Sequence, residues 1–258
     1  MTLMTDRARI NPHIGIVAGT AEGAALCYRT LCHEGGGAKS VYAHPEITLH
    51  TFPLHDYLTL IEREDWAGVA ALMSRSAALL ARSGADLIIC PNNTLHRAFH
   101  LLESPVPWLH IADAVAGEIN RRTFRRVALL GTQLVMQGNV YQPTLARDGL
   151  DLVLPEPHER IRIDDIIRTE LIRGHYTAHS RAYVQGIISQ MAAGGADAVI
   201  LGCTELPLLL SDEQAALPLL DSTRLLARAA LQRIPRTALE RPLEADTTPT
   251  SVLTFIES

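Results

Sequence analysis

The chain has 258 residues, a formal net charge of −5 and a pI near 6.1. An acidic chain with no basic run and no aromatic-studded basic strip excludes nucleic acid and anionic membrane as its main partners. Hydrophobic residues make up 47% of it, enough for a sizeable core, yet the longest apolar runs have only strand length and predict no membrane span.

The first residues, "MTLMTDRARINPH", are charged and lack an apolar signal core; residues 1–12 read as a loosely ordered leader to the fold. Strand signals then follow at 13–19, 47–52, 86–90, 108–111, 126–131, 150–155, 197–202 and 217–221. Amphipathic helical stretches lie between them, among them 22–33, 65–83, 136–148, 164–173 and 178–193. "GGG" at 35–37 lacks the phosphate-loop pattern and reads as a flexible loop. From Ile234 onward the chain is rich in Pro, Thr and charge, predicting a loosely ordered tail over 234–258. Alternating strands and helices predict an α/β fold with mainly parallel sheets, and several strands are nearly all apolar, as strands covered on both faces should be.

The pattern occurs twice. "IVAGT" (16–20) is answered by "LLGT" (129–132), Gly19 matching Gly131 at an offset of 112. "GADLIICPNNT" (84–94) is answered by "GADAVILGCTE" (195–205) at an offset of 111, and "VPWLHIAD" by "ALPLLD" at 108. Three matches in order at nearly one offset predict two pseudo-symmetric α/β lobes: 13–111 plus 223–233, and 112–222. The active-site cleft should lie between them, at the carboxyl ends of the strands.

The chemistry sits in the matched turns. Cys203 follows an apolar strand and Gly202, and precedes the helix-like "ELPLLL". A helix N-terminus would lower a thiol pKa and favour carboxylates. Thr204 adds a hydroxyl, and Glu205 could orient the thiol or accept its proton. In the other turn, Asn92, Asn93 and Thr94 could cap a helix or hold a carboxylate, and His96 could act as acid or base. His96 and His100, and His175 and His179, have helical spacing but no HExxH pattern or third ligand, so no metal is expected. Cys27, Cys32, Cys90 and Cys203 show no CxxC spacing, which predicts reduced thiols in the cytoplasm. The only lysine, Lys39, sits in a Gly-rich loop and is a poor Schiff-base candidate, so pyridoxal phosphate is not expected.

"IGIVAGTAEG", "HPEITLHTF", "GADLIICPNNTLH", "LHIADA", "RVALLGT", "HERIRIDDIIRTEL" and "LGCTELPLLL" together resemble the aspartate/glutamate racemase family, grouped with hydantoin racemases, over roughly 13–233. The resemblance implies a cofactor-independent amino-acid racemase, a homodimer, in which two cysteines work on opposite faces of the substrate Cα. It implies Cys203 as the second-lobe base. Asn93 and Thr94 would form the carboxylate-holding turn, with Gly19, Thr20, Gly131 and Thr132 in the glycine turns and Arg162 as the basic residue of "HERIR". The sequence departs from the pattern where Asn92 replaces the first cysteine, Ala43 an arginine before "HPE", and Val135 a threonine. An amide cannot act as a base near neutral pH. Three readings therefore follow: a racemase or epimerase, a single-thiol decarboxylase of malonate-like acids, and a non-catalytic binder of small carboxylates.

Overall fold

The computed structural model describes residues 12–36, 40 and 42–234. The predicted tail beyond Ile234, most of the leader and Lys39 lie outside the described residues. Among the described residues, eight strands form two separate parallel sheets. The first contains β1 (His13–Ala18), β2 (Glu46–Thr51), β3 (Leu87–Ile89) and β4 (Trp108–Leu109) in the order β2-β1-β3-β4. The second contains β5 (Arg126–Leu130), β6 (Asp151–Val153), β7 (Ala198–Leu201) and β8 (Leu219–Asp221) in the order β6-β5-β7-β8. All six pairings are parallel, and the two sheets share one topology, as the sequence repeat predicts. The inner strands β1, β3 and β7 are buried along their whole length, which is why they read as continuous apolar runs.

The helices are α1 (Ala21–Glu34), α2 (Leu54–Glu62), α3 (Trp66–Ser83), α4 (Ile111–Arg121), α5 (Gln133–Met136), α6 (Gln142–Arg147), α7 (Pro157–Thr169), α8 (Ala178–Ala193), α9 (Leu206–Leu209) and α10 (Ser222–Arg233). Two helical expectations need correction. The single helix expected over 136–148 is two short ones. The chain breaks at "QGN", where a Cβ on Gly138 would lie 2.4 Å from the Leu134 carbonyl oxygen, and restarts at Pro143 in the first turn of α6. The helix expected over 164–173 starts earlier, at Pro157, under a Glu156/Glu159 capping box, and ends at Thr169 before a 3-10 turn at Leu171–Arg173.

The repeat reaches down to single hydrogen bonds. Gly84 and Gly195, both with positive φ (102° and 86°), turn the chain from a helix into β3 and β7. The acids two residues on then clamp the start of the neighbouring strand. Asp86 Oδ2 accepts from the His13 amide at 2.9 Å, and Asp197 Oδ2 accepts from the Arg125 and Arg126 amides at 2.7 and 2.9 Å. "GAD" is therefore a structural motif that sets strand register.

Three apolar clusters pack among the described residues. One underlies the outer face of the first sheet around Tyr57, Met73 and Ile88, and one lies against α7 and α8 in the second lobe. The largest contains Ile16 and Ile89 of the first sheet together with Leu129 and Ile200 of the second, so one core joins the lobes. The helices cross over within it. α4, which follows β4 of the first sheet, packs on α6 of the second lobe, while α10, which follows β8 of the second sheet, packs on α1.

Candidate active site

In each sheet the strand order reverses between the inner pair, β1/β3 and β5/β7. Connections leaving these strands diverge to opposite sides and open a crevice at their carboxyl ends. The four turns at those ends are Gly19–Thr20, Pro91–Asn93, Gly131–Thr132 and Gly202–Thr204, and they converge on one cavity of about 660 Å³. The first lobe contributes Thr20, Asn92, Asn93 and Thr94 to its wall; the second contributes Thr132, Gly202, Cys203, Thr204 and Glu205.

A directed hydrogen-bond chain crosses between the lobes. The Gly23 amide donates to Thr20 Oγ1 at 3.3 Å. Thr20 Oγ1 and Thr204 Oγ1 are 3.2 Å apart. Thr204 Oγ1 donates to Glu205 Oε2 at 2.7 Å, and Cys203 Sγ donates to the same oxygen at 3.0 Å. With the Thr204 proton on Glu205, the Thr20–Thr204 bond takes its proton from Thr20. The lobes approach this closely because Gly23 has no side chain: a Cβ there would lie 2.6 Å from Thr204 Cγ2 and 2.9 Å from the Pro91 carbonyl oxygen.

The expected lowering of the Cys203 pKa is not observed. The following helix, α9, is a single turn, too short for a substantial end charge. Burial pushes the thiol well above its ordinary value, and the Glu205 carboxylate adds to this as a negative charge and as the acceptor of the S–H proton. Cys203 is thus a protonated thiol already bonded to a base.

Opposite it, Asn92 is part of the turn: its Oδ1 accepts from the Leu95 amide at 3.2 Å, as a helix-capping residue does. A Cβ on Gly19 would meet Asn92 Nδ2 at 2.5 Å, so Gly19 supports Asn92 from behind without lining the cavity. Gly131 does the same in the second lobe, where a Cβ would lie 3.0 Å from the Gly202 carbonyl oxygen. Thr132 Oγ1 is buried at the cavity wall with no hydrogen-bond partner among the described residues, so a ligand oxygen there would complete it.

Asn93 turns out to be a strut. Tyr141 OH donates to its Oδ1 at 2.5 Å, its Nδ2 donates to Ser222 Oγ at 3.0 Å, and Ser222 Oγ donates to the Leu201 carbonyl oxygen at 2.8 Å. This buried chain ties the first-lobe turn to the end of β7, one residue before Gly202 and Cys203. Only one N–H of the Asn93 amide remains for a ligand. We predict that Tyr141→Phe costs about 1–3 kcal/mol in urea denaturation, because it strands a buried acceptor; an unchanged midpoint would remove the strut.

Two expected residues lie elsewhere. Arg162 on α7 is half-buried, ion-paired with Asp165, and does not line the cavity. The arginine that does so from this helix is Arg168, whose Nε bonds Asp164 Oδ2 at 2.9 Å; Asp164 also accepts from the Gln133 amide at 3.0 Å. His96 is buried behind its turn, its Nδ1 donating to the Asn92 carbonyl oxygen at 2.9 Å, and it does not line the cavity. Burial, with His110 adding a smaller effect, pushes its pKa down to about 3, so it is a neutral packing residue. Gly23, Gln133, Tyr141, Asp164, Arg168 and Ser222 escaped sequence reasoning. Of these, Gly23 lies in the "IGIVAGTAEG" segment, and Asp164 and Arg168 are charges within "HERIRIDDIIRTEL"; the other three carried no signal.

Two parallel α/β lobes, with duplicated turns meeting around a buried thiol and carboxylate, define a class of two-lobed enzyme with an interlobe cleft. The chain belongs to the Asp/Glu/Hydantoin racemase family, whose sequence profile matches residues 11–230. A broad specificity amino-acid racemase, RacX of Bacillus subtilis (strain 168), is 25% identical over 202 residues, covering 78% of this chain and 86% of the relative. Among solved structures, a candidate Asp/Glu racemase from Yersinia pestis is 30% identical with a TM-score of 0.78, covering 89% of this chain and all of that one (100%). An aspartate racemase homologue from Pyrococcus horikoshii OT3 is 31% identical with a TM-score of 0.73, covering 85% of this chain and 97% of that one. No helix among the described residues is long and apolar enough to cross a membrane.

Proposed function

We propose that the protein is a cofactor-independent amino-acid racemase or epimerase in which Cys203 moves the proton at the substrate Cα. The observation that carries this reading is the placement of Cys203 and Asn92 on matching turns of the two sheets, both facing one cavity. Glu205 accepts the thiol proton across the 3.0 Å contact, and the thiolate then takes the Cα proton. The Thr132 hydroxyl and the polar groups of Asn93 and Thr94 hold the carboxylate on which negative charge accumulates, beside Thr20, whose own proton is held by Thr204.

Asn92 cannot take or give the second proton as a cysteine would; a water held by its amide supplies the other face. When the Cys203 thiol swaps the proton it has taken for a solvent deuteron and returns that to the same face, exchange occurs without inversion, so Cα exchange should outrun racemisation. The test is Cα deuterium uptake, followed by NMR in heavy water, for single enantiomers across an amino-acid panel. Asn92→Cys should raise uptake by the slower enantiomer about tenfold or more, since acid–base groups contribute about 10²–10⁴. A wild-type protein that leaves every Cα proton in place would overturn the reading.

The chemistry needs no cofactor, and four free cysteines suit a reducing, cytoplasmic compartment. A homodimer is expected from the family resemblance alone. A second reading rests on the single thiol: a decarboxylase of malonate-like acids requires only one proton donor. Release of carbon dioxide from a disubstituted malonate, without amino-acid exchange, would favour it.

A further inference from the structure

Beyond its polar turns the cavity has an aliphatic wall. Leu54, Leu58 and Ile61 of α2 face into it, as do Leu134 of α5, Ile167 of α7 and Ile172 of the 3-10 turn. Leu58 and Ile172 are 42% and 46% exposed, so apolar surface stands open to solvent at a site built for a small molecule.

The charges lining the same cavity are unevenly disposed. Glu62, Glu64, Asp164 and Glu205 are acidic, whereas Arg97 and Arg168 are the cations. Arg168 is ion-paired with Asp164. Arg97 stacks over the Trp66 ring at 4.2 Å and has no ion pair among the described residues. One unpaired cation can neutralise one carboxylate. A second carboxylate on the substrate would find no free cation and an excess of acids.

We propose that the substrate is a monocarboxylic amino acid with a neutral, apolar side chain of leucine size or larger, laid against Leu54, Leu58, Ile61 and Ile172. The proposal rests on the racemase reading above. A side chain ending in a cation could reach toward Glu62 and Glu64, but both are exposed at the rim, where water screens them. The aliphatic wall therefore decides.

The experiment measures kcat/KM for Cα deuterium exchange with both enantiomers of leucine, methionine, phenylalanine, aspartate, glutamate and lysine. The apolar substrates should exceed aspartate and glutamate on the order of tenfold or more, the scale on which apolar pockets discriminate. Leu58→Arg, at an exposed position that tolerates substitution, should lower the leucine rate and raise the glutamate rate, with an unchanged circular dichroism spectrum as the check on folding. Faster exchange of aspartate, glutamate or lysine than of leucine in the wild type would overturn the proposal, as would an unaltered preference in Leu58→Arg. If no amino acid exchanges, the racemase reading fails. Saturation-transfer NMR then tests the pocket by itself: leucine binding more tightly than glutamate upholds the substrate class, and equal or reversed binding overturns it.

Discussion

Cys203→Ser is expected to reduce Cα exchange by about three orders of magnitude while leaving the fold intact. Serine keeps the size and the O–H donor, so the bond to Glu205 Oε2 can persist and the buried site stays paired. What is lost is acidity: an alkoxide is far harder to form than a thiolate in the same desolvated place. The measurement pairs deuterium uptake with thermal unfolding. Retained exchange would remove Cys203 from the mechanism, and a lower melting temperature in parallel with lost exchange would reduce it to a packing residue.

Glu205→Gln should also be strongly damaging, lowering exchange about 10²–10⁴-fold. Its value lies in a second readout that moves the opposite way to activity. The carboxylate raises the Cys203 pKa, so its removal lowers that pKa and brings thiolate in at lower pH. Alkylation by iodoacetamide, followed against pH, should therefore shift its midpoint downward in Glu205→Gln even as turnover falls. Sign and direction agree: a raised pKa means that the wild-type thiol becomes reactive only as pH climbs. The experiment belongs in a Cys32→Ser background, because Cys32 is partly exposed while Cys27 and Cys90 are fully buried. An unmoved midpoint would show that Glu205 does not act on the thiol.

The strands among the described residues were legible in the sequence: β1, β3 and β7 as the continuous apolar runs that doubly covered parallel strands impose, and half-exposed β2 as a β-prone run between turn residues. The duplicated turns were legible for the same reason, and with them the place of Cys203 and Asn92. The choice between arginines on α7 was not. Arg162 and Arg168 are six residues apart, which leaves them roughly 120° apart around a helix. Which of them meets the cavity depends on how α7 sits against α5, and that is a matter of packing. The chain from Tyr141 through Asn93 to Ser222 was equally hidden, since its members are 48 and 129 residues apart and meet only when the lobes close on each other. The raised thiol pKa reflects burial, which the polar "GCTE" turn does not announce.

The exchanged positions of α4 and α10 bear on how the molecule comes apart. Neither half carries all of its own covering: α1 is capped by a helix from the far end of the chain, and α6 by one that precedes the second sheet. Opening either half strips apolar surface from the other, so the two unfold as one cooperative unit despite their separate sheets. The two turns that face each other in the cleft are thereby kept at a fixed spacing by the global stability of the protein, and not by the local strength of either half.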